Sequence, residues 1–339
     1  MTSINRRDFL KSTVAAGFIP AALARPQSIP KAKSAQWFAK RGTVVRVTHP
    51  GALNEDGTAN AGVVQAMVDR GIRELTQAKT VSDAWSRFVG PDDVVGLKIN
   101  TLGMRAVANT RYVHHFQAVT DALANGIAAT GLPKNRIAVW DRNLPNVAEA
   151  NYRPNPDPDG VQVWGGREDG AEEEPVKVGE KDAWLYKTLT RKTTALVNVA
   201  LAKTHRMSGV TGALKNHYGS IRNPSDFHMN NCTNPGIAEL NTVEVIRQKQ
   251  RLIVMDALYT VYEGGPSWNL EFMKKTNAVW VSTDPVAVDT LLLETIEALR
   301  KEAGMDSVVE IARHLGIAAK LGLGEGDPSK IKRIDIRLE

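Results

Sequence analysis

The chain has 339 residues, 42% of them hydrophobic, with a formal net charge of +6. That is enough apolar material to bury a large core without disulfides or structural metals. The single Cys232 excludes an internal disulfide and a self-contained four-cysteine iron–sulfur cluster, and no arginine-rich helix or basic–aromatic alternation suggests nucleic-acid binding.

The chain opens on Asn5-Arg6-Arg7-Asp8-Phe9-Leu10-Lys11, then a weakly apolar stretch from Val14 to Leu23 and a small-residue site ending at Ala24. This reads as a twin-arginine export signal over residues 1–24. The expectation is a periplasmic protein that meets the twin-arginine translocase folded, has a charge of +4 after the signal is removed, and keeps no stable membrane span. Residues 25–42, mixing prolines, serines and basic residues, read as a flexible leader to an α/β domain over 43–339.

The domain opens with a β-branched strand from Thr43 to His49. A helix follows in which Val64, Met67, Val68, Ile72 and Leu75 form one apolar stripe. Asp93–Asn100 is a buried-type strand, residues 112–131 a helix ended by Gly131 and Pro133, and Arg136–Asp141 another strand. Residues 151–185, rich in Pro, Gly and acids around a short VQVW, read as an insertion or lid. Further apolar strands cover Thr194–Lys203, Gln250–Leu258 and Asn277–Ser282, with helices near Ala238–Gln248 and Pro285–Ala303, and KIKRIDIRL closes the chain as an edge strand. Strands that are apolar on both faces and alternate with helices predict one large α/β domain, its mostly parallel sheet covered on both sides.

In such sheets ligands bind beyond the carboxyl ends of the strands. Lys98 and Asn100, Asp141, Lys203 and His205, and Asp256 all fall at predicted strand ends. In HRMSGVTGALKNHYGSI, residues 205–221, Gly209 and Gly212 allow a tight turn whose amides can cradle an anion, with Lys215 adding charge and Asn216 beside it. His205, His217 and His228 either form an open site for a divalent metal or contact substrate directly; their spacing matches no compact zinc motif. His114 and His115, on adjacent helix faces, read as structural. Glu263, before Gly264-Gly265-Pro266, is a candidate base or ligand. Asp284 before Pro285 reads as a helix cap. Asp289, on an otherwise apolar helix, needs a partner, either a lysine or the backbone of the glycine loop.

The succession VVGLKIN, KTHRMSGVTGALKNHYGSI with a downstream Phe-His, IVMDALYTVYEGGP and VSTDPVAVD resembles the bacterial and archaeal family called domain of unknown function 362, over about residues 43–300. The resemblance implies a single α/β domain and a shared site at Lys98, Asn100, Lys203, His205, Lys215, Asn216, His217, His228, Asp256, Glu263, Asp284 and Asp289. Many members carry an appended ferredoxin-type domain; this chain lacks its cysteines. Together these features lead to an expected periplasmic enzyme for a small anionic substrate, metal-assisted or redox-linked, with His205, His217 and Glu263 as catalytic candidates. Lys98, Asn100, Lys203, Gly209, Gly212, Lys215, Asn216, Asp256 and Asp289 would hold the substrate. The alternative is a non-catalytic metal- or anion-binding accessory with a redox partner in the envelope.

Overall fold

The computed structural model describes residues 37–339. The expected signal and most of the leader lie outside the described residues. Where the leader enters, it already belongs to the domain: Phe38 packs edge-to-face on Phe88, and the Arg251 guanidinium lies 3.6 Å from the Trp37 ring centroid.

The strands in chain order are β1 (Thr43–Thr48), β2 (Val95–Lys98), β3 (Ile137–Asp141), β4 (Gln162–Gly165), β5 (Val176–Val178), β6 (Lys181–Ala183), β7 (Ala195–His205), β8 (Gly209–Val210), β9 (Gln250–Val261), β10 (Met273–Ser282) and β11 (Lys332–Arg337). The main sheet has the order β11-β1-β10-β9-β7-β2-β3-β4, with β8 folded back on β7; β5 and β6 form a separate hairpin. Along that order β10 is the reversed strand, antiparallel to both β1 and β9, while the others run one way. The expected mostly parallel α/β fold is therefore what the chain adopts.

Both faces are covered, as the unbroken apolar strands require. Val197, Val199 and Leu201 of β7 face one core with Val64, Met67 and Leu75 of the helix Ala61–Thr76 and Val119 and Leu123 of the helix His114–Ala128. Ala200 and Ala202, pointing the other way, meet Val288, Leu292 and Ile296 of the helix Pro285–Glu302. Each large aliphatic side chain buried this way contributes about 1.5–3 kcal/mol. Asn60 caps the first helix by accepting from the Val63 amide, and Asp284, with Pro285 after it, caps the third by accepting from Ala287.

Three elements differ from the sequence expectation. VQVW, inside the expected insertion, supplies β4, an edge strand parallel to β3; its half-buried pattern lacks the continuous apolar signal of the central strands. The helix expected over 238–248 is two short ones, Ile237–Leu240 and Glu244–Lys249. The Asn241 side chain between them donates to the carbonyls of Leu214 and Ile237, and so ties this break to the glycine turn. Finally, β9 runs on to Val261, so Asp256 sits inside a strand and not at its end. Among the described residues no helix is long and apolar enough to cross a membrane.

Candidate functional site

From β2 the chain moves outward to β3 and β4, then returns to the other side of β2 for β7 and continues to β9. The order reverses between β2 and β7, and the crevice beyond their carboxyl ends is where such sheets bind ligands.

The floor of this crevice is a saturated ion pair. Lys98, the last residue of β2, is buried, and its Nζ donates to Asp141 Oδ1 at 2.6 Å, the Ile99 carbonyl at 2.7 Å and Asn216 Oδ1 at 3.1 Å. The second oxygen of Asp141 accepts from the Thr101 amide at 2.7 Å and its hydroxyl at 2.6 Å. Burial pulls the Lys98 ammonium below the usual lysine range while Asp141 pushes it back up. Lys98 and Asp141 thus neutralise each other, and every Lys98 proton already has an acceptor. Gly219 lies over them: a Cβ there would stand 2.3 Å from Asp141 Oδ1 and 2.6 Å from Lys98 Nζ.

The glycine turn is built around a buried carboxyl group. Gly209 and Gly212 adopt φ of +72° and +56°, where a side chain is strained. Asp289, fully buried, accepts from the Ala213 amide at 2.6 Å and the Leu214 amide at 2.9 Å, and a Cβ on Gly212 would lie 2.2 Å from its Oδ1. The expected partner of Asp289 is therefore the loop backbone. This also corrects the expectation that the turn cradles a ligand, because Asp289 already takes the amides of Ala213 and Leu214. Burial raises the Asp289 carboxyl to about 7 against the lowering effect of those amides.

Above this floor opens a cleft of about 180 Å³ lined by Asn100, Thr101, Arg142, Asn146, Lys215, Asn216, Tyr218, Gly219 and His228, among others. Lys215 is 4% exposed. Its Nζ stands 3.4 Å from His228 Nε2, 3.5 Å from Cys232 Sγ and 3.9 Å from the Tyr218 ring centroid. Burial lowers it to about 8. His228 Nδ1 lies 2.8 Å from the Pro224 carbonyl, which fixes the proton on Nδ1 and leaves a lone pair on Nε2 toward Lys215. Burial, then the Lys215 charge, lowers the His228 imidazolium below the usual histidine range. Arg142, directly after β3, forms no ion pair among the described residues, and its buried Nε has no hydrogen-bond partner.

The other candidates lie elsewhere. Lys203, fully buried, donates to the carbonyls of Leu102 and Pro266, stapling two loops to β7; burial lowers it to about 7. His205 is buried and absent from the cleft lining, its Nδ1 accepting from the Met207 amide, its Nε2 unpartnered, its ring centroid 6.2 Å from that of His228. His217 points into the core, with Nε2 2.8 Å from Gln250 Oε1 and Nδ1 3.3 Å from Ser220 Oγ, and burial lowers it to about 4. It does not line the cleft, and His205, His217 and His228 do not converge. Among the described residues no group of three or more His, Cys, Asp or Glu side chains is placed to hold a metal ion. Asp256 is buried against His115 at 2.8 Å, so the histidine read as structural holds the carboxylate read as substrate-binding. Glu263 pairs with Arg300 and is also absent from the cleft lining.

Sequence reasoning missed Arg142 and Tyr218 as lining residues; Arg142 follows a strand-end aspartate but carries no motif. It also missed His314, fully buried with neither ring nitrogen partnered and pulled down to about 3 by burial and by Lys215.

Residues 95–294, more than half of the chain, match the family described as Domain of unknown function (DUF362). No curated protein and no solved structure matches the chain.

Proposed function

Because the chain belongs to the DUF362 family, whose description assigns no activity, the reading must come from the site, and we propose that the cleft binds a small carboxylate- or phosphate-bearing molecule and acts on it by proton transfer. One observation carries this: Arg142 and Lys215 face the same cleft without a carboxylate partner, while the aspartate beneath them is spent on Lys98. Two cations left uncompensated in a half-enclosed cleft favour an anion from solution. Asn100 and Asn216 add polar side chains to the wall. His228 Nε2, unprotonated beside Lys215, is the proton acceptor. Lys98, Lys203 and Asp289 act as the frame that holds the loops.

Titration calorimetry with inorganic phosphate and with succinate tests this reading. Arg142→Gln should weaken binding by about 1.5–3 kcal/mol, the range of a hydrogen bond to a charged group, and leave stability within about 0.5 kcal/mol because no ion pair is lost. Absence of binding to either anion would refute the site. If anions bind but no chemistry depends on His228, the protein is a periplasmic binding accessory.

The same proposal includes export. Arg6-Arg7 and the Ala24 site support the twin-arginine route to the periplasm. Fractionation of cells carrying Arg6→Lys/Arg7→Lys should find the chain retained and uncleaved, and N-terminal sequencing of the exported form should begin at Arg25.

A further inference from the structure

We propose, resting on the anion-site reading above, that the bound anion carries a carbonyl and that Lys215 captures it as an imine, making the substrate class small 2-oxo acids. The argument starts from what the buried lysines do. Lys98 has three oxygen acceptors, one a carboxylate; Lys203 has two backbone carbonyls; Lys249 has three, at 2.7–2.8 Å. Each ties separate segments of the backbone together.

Lys215 is built differently. It has no oxygen acceptor within hydrogen-bond distance; it meets an imidazole nitrogen, a thiol and the face of an aromatic ring. Of these four lysines it lines the cleft. An amine so desolvated and unpaired is held toward its neutral, nucleophilic form, and its depressed proton affinity agrees with that. Arg142 in the same cleft supplies the planar fork that receives a carboxylate.

The chemistry balances without a further reactant. Lys215 Nζ passes a proton to His228 Nε2, and its lone pair attacks the carbonyl carbon. The C=O π pair moves to oxygen, which takes the proton back from His228 Nε2 and so completes the protonated carbinolamine. The nitrogen's second proton goes to the base, the hydroxyl leaves with a proton from His228 as water, and the C=N bond forms. One ammonium and one carbonyl become one protonated imine and one water.

The test is reductive trapping. The exported full chain is incubated with pyruvate and sodium cyanoborohydride, and modified lysines are located by peptide mass mapping. Lys215 is expected as the dominant adduct, lost in Lys215→Arg. An adduct concentrated on Lys203 or spread over exposed lysines, or no adduct, overturns the inference. Succinate binding by the wild-type chain separates the failures: binding without trapping removes the imine and leaves the anion site, whereas neither removes both. The mapping on wild-type protein stands even if the variant does not fold.

Discussion

Lys203→Met tests whether buried lysines, and not only apolar packing, shape the stability of this sheet. Burial lowers the Lys203 ammonium from 10.5 to about 7. Between those values the unfolded chain holds the proton and the folded chain has lost it, so raising the pH favours folding; below about pH 7 both states are protonated and the contribution is flat. At about 1.4 kcal/mol per unit, the lysine should add about 2 kcal/mol of stability between pH 7 and pH 9. Methionine is one atom shorter, keeps most of the buried stem and removes the titrating group. It also leaves the Leu102 and Pro266 carbonyls unpaired, at about 1–3 kcal/mol each, but that cost does not vary with pH. Lys215 and Lys249, both lowered to about 8 by burial, contribute to the same rise in both proteins and cancel in the comparison. The assay is urea denaturation at pH 7 and pH 9, read as the change in stability of each protein. A flatter dependence in the variant, by about 2 kcal/mol, is expected; parallel dependences would show that Lys203 stays protonated in the fold and would refute the desolvation argument.

Asp141→Asn leaves the buried Lys98 ammonium without its carboxylate and should cost about 3–5 kcal/mol in the same assay, against a near-neutral result if water reaches Lys98. Gly219→Ala places a methyl 2.3 Å from Asp141 Oδ1 and should cost about 1–3 kcal/mol through displaced packing, with weaker succinate binding because Gly219 also lines the cleft. The Asp289 carboxyl, raised from 3.8 to about 7, gives the opposite sign to Lys203: the folded chain holds a proton that the unfolded chain has lost, so stability falls as pH rises from about 4 to about 7. Asp289→Asn should flatten that part of the pH–melting-temperature profile, and an unchanged profile would place the proton elsewhere.

The architecture was largely legible because the central strands are long apolar runs buried on both faces, and that pattern has one economical solution, a mostly parallel sheet covered on both sides. Asp284-Pro285 was legible for an equally local reason, since capping depends on adjacent residues. The site was legible only as a neighbourhood. Lys215 and His228 were found because polar residues crowd the segment after β7, but linear spacing does not say which way a side chain leaves a 3₁₀ turn. His217, two positions from Lys215, turns inward to Gln250. The glycines were read correctly as a tight turn and incorrectly as a ligand cradle, because the occupant of the amides, Asp289, lies 75 residues or more away in sequence. Arg142 acquires meaning only when the sheet order brings the ends of β2, β3 and β7 to one cleft.

The pairing of β1 also bears on how the fold is reached. Its apolar residues Val44, Val45 and Val47 are hydrogen-bonded on one side to β10, beginning at Val44 with Ser282, and on the other to β11, beginning at Thr43 with Lys332. The first strand among the described residues therefore has both partners in the last quarter of the described sequence. During synthesis it persists as a hydrophobic segment with two unsatisfied edges, which is the kind of template that recruits other strands. Assembly has a late, high-separation closing step of the sort that slows folding. The exposed edges of β1 are closed only once β10 and β11 are available to pair with it.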